Sequence, residues 1–158
     1  MNKLMILCTI FALIFGASEN FADAVKFGDC GSKSGKLASI RVSDCDVSSK
    51  VCLLKRFTNA TIELDFELVE DVVVENVTTV VHGILLETEI PFPLENSNAC
   101  LNGISCPLAK GQTHKYVQSL PVKIYYPPVR VTIKFELKDV QTNKTIICVL
   151  IPARITLL

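Results

Sequence analysis

The chain is 158 residues long, carries 16 basic and 16 acidic side chains, and is 49% hydrophobic with no tryptophan. That length suits one domain with one core. The balanced charge, with no lysine- or arginine-rich run, gives no basic patch of the kind that holds nucleic acid or an anionic membrane surface.

At the N-terminus, Lys3 precedes the uncharged apolar run Leu4–Ala17, and Ala22-Asp23-Ala24 has the small-x-small form of a signal-peptidase site. The run is shorter than the roughly 20 residues a membrane span requires. Residues 1–24 therefore read as a cleaved secretory signal, and residues 25–158 as a single mature domain. Cys8 departs with the signal. An even number of cysteines remains, which in a secreted chain reads as a set of disulfides. Cys45 with Cys52 and Cys100 with Cys106 are near enough to be local staples, leaving Cys30 with Cys148 to tie the ends together. Zinc is the competing reading, and the spacings lack the paired C-x-x-C knuckles it favours.

Alternation dominates the rest of the chain. Val25–Phe27 and Leu37–Val42 offer two short strands. From Thr61 to Leu68, Ile62, Leu64, Phe66 and Leu68 face one way while Glu63, Asp65 and Glu67 face the other. Val77–Leu86 is rich in β-branched residues and reads as a further strand. Val129–Lys138 repeats the period of two, with Val131, Ile133, Phe135 and Leu137 against Arg130, Thr132, Lys134 and Glu136. Thr145–Ile155 closes the series. Turn chemistry separates the runs at 31–35, at Pro91–Pro107, at Tyr126-Pro127-Pro128 and at 141–144. Roughly seven strands so spaced predict an all-β, immunoglobulin-like two-sheet antiparallel sandwich. Asn59, Asn76 and Asn143 each begin an N-x-Thr sequon and are glycosylation candidates.

Catalytic chemistry is hard to find. His82 lies in an apolar strand and His114 in a polar Gln-Thr-His-Lys loop, with no H-E-x-x-H pair and no G-x-S-x-G elbow. The bridged cysteines offer no nucleophile. The residues point to a binding protein with no metal or cofactor, monomeric and without a nucleic-acid partner. The aliphatic surplus fits either a dense core or splayed sheets lining a cavity, and composition leaves both open.

The ordered segments resemble the lipid-recognition (ML) domain family. They are FGDCGS at Phe27–Ser32, VVHGIL at Val80–Leu85, PFP at Pro91–Pro93, CLNGISCP at Cys100–Pro107, LPVK at Leu120–Lys123, Tyr126-Pro127, and Cys148 followed by Ile151-Pro152. The resemblance implies a sandwich whose sheets separate to hold a lipid, with first-to-last and two local disulfides. It implies a sterol as ligand, and pocket and gate roles for Phe92, Val122 and Tyr126. Ile90, Leu120, Pro127 and Phe135 occupy neighbouring pocket-facing places. It further implies a secreted or lysosomal-lumenal protein that hands its lipid to a membrane sterol-transport protein or an anionic lipid membrane. Other lipids, such as fatty acids, microbial lipids or semiochemicals, and a ligand-free interaction module are the alternatives. The acidic, valine-rich Val69–Asn76 stretch, Leu86-Glu87, and Phe135 in place of a Trp depart from the mammalian members.

Overall fold

In the computed structural model, which describes residues 26–45 and 48–157, strands fold into two facing sheets. They are β1 Gly28–Asp29, β2 Gly35–Val42, β3 Cys52–Lys55, β4 Asn59–Leu68, β5 Val77–Leu85, β6 Thr88–Phe92, β7 Thr113–Pro121, β8 Arg130–Asp139 and β9 Thr145–Thr156. The larger sheet runs β1-β9-β8-β5-β6, and the smaller β2-β4-β7. Pairing is antiparallel apart from short β3, which lies parallel to β9. The signal expected at residues 1–24 lies outside the described residues.

Alternation sets the inner faces. Every second residue of β4 is buried, with Ile62, Leu64, Phe66 and Leu68 at most 1% exposed. Each such burial contributes about 1.5–3 kcal/mol. The polar row of β8 is less wet than its sequence suggests, because Glu136 lies nearly buried between Lys134 and Lys138 at 3.8 and 3.5 Å. The disulfides pair Cys30 with Cys148, Cys45 with Cys52 and Cys100 with Cys106, as the spacing predicts.

Three strands were hidden in the sequence, and one was misplaced. The first strand among the described residues is Gly28–Asp29, which pairs with Leu150 and Val149 of β9; of the expected Val25–Phe27 strand, Lys26 and Phe27 are not in a strand and Val25 lies outside the described residues. β3 is only four residues long. In β7 the inward row is His114, Tyr116, Gln118 and Leu120, so two polar side chains break the apolar rhythm. His114 thus sits in a strand, 5% exposed, and not in a polar loop. β6 runs through Pro91, which an edge strand tolerates because one side needs no N–H. The segment expected to turn from Pro91 onward begins its turn only after Phe92. The β5–β6 hairpin is closed by Leu86 and Glu87, both at positive φ (46° and 67°). Paired left-handed residues fit a type I′ turn, which Asn and Gly normally signal.

The sandwich is filled at one end. Phe66, Tyr116, Phe135, Leu137 and Ile147 are fully buried there, with the Tyr116 and Phe135 rings 5.6 Å apart. The Tyr116 hydroxyl lies 2.7 Å from Thr79 Oγ1 on the opposite sheet and donates to Gln118 Oε1. Burial raises the Tyr116 phenol well above its ordinary range, so it stays protonated and able to donate.

His114 packs 5.6 Å from the Phe66 ring, and its Nε2 is buried without a partner. Burial lowers its pKa, and a hydrogen bond with the Ala109 backbone offsets only part of that. The unfolded chain therefore binds this proton more readily than the folded one. Stability is fully present above the unfolded value of about 6.5 and is lost as pH falls below it toward the folded pKa. Urea titrations at pH 7.5 and 5.0 are expected to show a drop in unfolding free energy that His114→Phe reduces.

Candidate binding cavity

Beyond the Tyr116–Phe135 layer the sheets enclose a cavity of about 420 Å³. Its wall on the larger sheet is Val131 and Ile133 of β8, Ile151 and Ile155 of β9, and Val81 and Leu85 of β5. Opposite stand Val42, Ala60, Ile62, Leu120 and Val122, while Leu54 joins the larger-sheet wall from β3, beside β9. Space exists because small residues occupy wall positions. Gly83 faces Ile133 and Ile90 in register, and a Cβ there would meet Val131 Cγ2 at 3.3 Å.

Six of the seven expected pocket residues line this space: Ile90, Phe92, Leu120, Val122, Tyr126 and Pro127. Phe135 does not. It lies one inward step past Ile133, wholly buried against Tyr116, and belongs to the packed core behind the cavity floor. The mouth is framed by rings: Phe92 and Tyr126 stand 5.6 Å apart, and Tyr125 meets Tyr126 edge-on at 5.0 Å. Burial, with a lesser effect of neighbouring Tyr125, raises the Tyr126 phenol. These two hydroxyls are polar groups at an otherwise aliphatic site. His82 borders the cavity too, but strand alternation puts it in the outward row with Lys134 and Pro91, its register partners.

Val42, Leu54, Ala60, Ile62, Val131, Ile133, Ile151, Ile155 and Tyr125 were not foreseen as lining residues. The β9 run marked Ile151 and Ile155 only as strand residues, while the alternation of β4 and β8 marked Ile62, Val131 and Ile133 as inward. Alternation carries no signal separating a residue that meets another side chain from one that meets a void. Leu54 had less still, since four-residue β3 carries no alternating run to announce it, whereas Val42 ends a strand that the sequence does show. Asn59, Asn76 and Asn143 are all exposed.

The fold also gathers charge that composition conceals. Arg130 and Arg154 stand directly opposite each other across the β8–β9 ladder, and Leu53 of β3 pairs with Arg154. Their neighbours Val131, Ala153 and Leu54 face inward, so Arg130, Arg154 and Lys55 share the outer face at the mouth end. Among the described residues none of these three has an ion pair, and Arg56 Nε beside them is buried without a partner. A small basic patch therefore exists, contrary to the reading from composition. Exposed Phe57, Ile124, Tyr125 and Leu86 lie on the loops around it and around the mouth.

The contrast between floor and mouth is measurable without any ligand. Phe135→Ala is expected to cost about 3–5 kcal/mol in urea unfolding, as for a fully packed ring. Phe92→Ala, at a half-open mouth, is expected to cost less than about 1.5 kcal/mol. Equal costs would mean that both rings are packed alike.

The ML-domain profile matches residues 24–155. The chain is 46% identical over 136 residues to NPC intracellular cholesterol transporter 2 homolog a of Drosophila melanogaster, covering 85% of this chain and 90% of that protein. It is 34% identical to NPC intracellular cholesterol transporter 2 of Bos taurus, over 94% of this chain and 97% of that one. A crystal structure of a Niemann-Pick type C2 protein from Japanese carpenter ant superimposes with a TM-score of 0.77 at 32% identity, covering 83% of this chain and 99% of the other. With its two sheets, three disulfides and inter-sheet cavity, the chain belongs to the ML-domain family.

Proposed function

We propose that the chain is a lipid carrier for a sterol-class ligand, secreted or working in the lysosomal lumen. The observation that carries this reading is the cavity: aliphatic to its floor, with hydroxyl groups only at the mouth. Such a site suits a rigid apolar body with one polar end. A volume of about 420 Å³ falls in the range of small-molecule sites. Burying roughly 400 Å² of apolar ligand surface gains on the order of 10 kcal/mol, and association costs remove several of these. The relatives named for cholesterol transport support the sterol class. Disulfides suit an oxidising compartment.

The cavity also weighs against a ligand-free interaction module, because an unfilled apolar void costs stability. For delivery, we infer that the mouth meets an anionic membrane. The unpaired Arg130, Arg154 and Lys55 and the exposed Phe57, Ile124 and Leu86 combine attraction to anionic lipid with apolar contact.

Lipid extracted from natively purified chain is expected to contain sterol. Delipidated chain should bind dehydroergosterol near one to one, with displacement by cholesterol and about tenfold weaker binding in Phe92→Ala. Displacement by oleate but not by cholesterol would overturn the sterol assignment. Binding to neutral vesicles should be weak, and binding to phosphatidylserine-containing vesicles should fall in the Arg130→Gln/Arg154→Gln variant and with added salt. Unchanged vesicle binding would remove the delivery face.

A further inference from the structure

After Phe92 the chain leaves the β5 edge and returns to that same edge a few residues later. Phe92 is the last residue of β6 in register with β5, opposite Val81. The return is fixed by Thr79 N–H, which donates to Ser97 O at 2.7 Å, and by the Asn98 bridge to Thr78. In between, Pro93 has no N–H to give. Among the described residues, Leu94 and Glu95 take part in none of the backbone hydrogen bonds outside the strands. Residues 93–96 form a strap anchored at both ends, directly behind the ring that faces Tyr126 across the mouth.

One side chain from the opposite sheet holds that strap. Gln118, 9% exposed in the inner row of β7, donates from Nε2 to Asn96 O at 3.1 Å. Its Oε1 accepts from the Tyr116 hydroxyl. The Tyr116 proton being committed to Gln118, Thr79 Oγ1 must donate to Tyr116 across the 2.7 Å contact. The donors thus run one way, from Thr79 through Tyr116 and Gln118 to Asn96. A flipped amide would set Oε1 against the Asn96 carbonyl, two acceptors face to face, so the orientation is locked. Neither Gln118 nor Tyr116 is among the residues lining the cavity.

The geometry points to Gln118 as a positioning residue for the gate. By pinning Asn96 it limits how readily the strap yields and Phe92 parts from Tyr126, and so sets the rate of ligand exchange without touching the ligand. This rests on the carrier reading above. Entry and exit both require the ring pair to separate, which moves Pro93 and Leu94 against a fixed Asn96. Releasing that one buried bond lowers the barrier in both directions and leaves the contacts of the loaded state unchanged.

The test uses Gln118→Met, of similar length but without a donor or carbonyl. Stopped-flow uptake of dehydroergosterol by the purified chain, and its release to phosphatidylcholine vesicles, give the two rates. Both are expected to rise about five-fold, the effect of losing one hydrogen bond, with Kd changed less than about two-fold. Amide exchange at residues 94–98 of the lipid-free chain should quicken by a similar factor. Tyr116→Phe keeps the amide but frees its orientation, and should move the same quantities by a smaller factor. It carries the test if Gln118→Met does not fold. A changed Kd with an unchanged uptake rate would make Gln118 a cavity-shaping residue and overturn the proposal, as would rates and amide exchange equal to wild type. A wild-type chain that takes up no sterol would overturn the carrier reading instead, while amide exchange would still decide whether Gln118 holds the strap.

Discussion

Two sheets with apolar inner faces close on one another unless something between them sets their distance. Here it is the layer of Tyr116 and Phe135, whose rings meet across the sandwich, with Thr79 bonded to the Tyr116 hydroxyl. A ring from each sheet needs more depth than two aliphatic side chains, and the hydrogen bond fixes the pair sideways as well as apart. Toward the mouth the inward positions pass to Val, Ile and Leu, to Gly83 and to Ala60, which do not span the gap so maintained. The cavity is thus less an excavation than the place where side chains become too short for a spacing set elsewhere. A hydroxyl in so apolar a layer is tolerated because every polar atom of the chain from Thr79 to Asn96 has a partner.

This explains which parts of the molecule could be read from the chain of letters. Strands with one wet face, β4 and β8 above all, announce themselves because glutamates and lysines alternate with aliphatics. The cysteine spacings were enough to set the disulfides. β7 was illegible since the wedge itself, with Tyr116, Gln118 and His114, replaces the apolar rhythm by polar groups whose partners lie far off in sequence. β6 was illegible because its hairpin uses residues that seldom take left-handed backbone. Phe135 shows the limit within a well-read strand: period two gives its direction, but whether a ring or a void awaits it depends on Tyr116 across the sandwich. The family motifs brought the rim residues into view, yet could not carry that depth.

Charge follows a similar logic. A chain with equal numbers of positive and negative groups says nothing about where they fall. The wet face of the small sheet is internally neutralised by Arg41 and Lys115 against Glu63 and Asp65, and Glu70 holds Lys144 at the closed end. Such exposed pairs contribute little to stability, but they remove charge from the outer field. What remains uncompensated at the mouth end is Arg130 facing Arg154. Like charges directly opposite in a ladder are unfavourable, so this pair opposes folding slightly and nothing in the fold itself needs it.

The Leu86-Glu87 hairpin has a practical consequence of its own. Two side-chain-bearing residues in left-handed backbone cost about 1–2 kcal/mol each, and Leu86 is 99% exposed, with no packing to offset it. An engineer seeking a hardier domain would change Leu86→Asn and Glu87→Gly first, since that dipeptide is made for such a turn. The gain would come with the removal of an apolar tip beside the opening of the cavity. Thermostability screening alone would select for that loss, so a search for sturdier variants has to assay lipid handling in the same round.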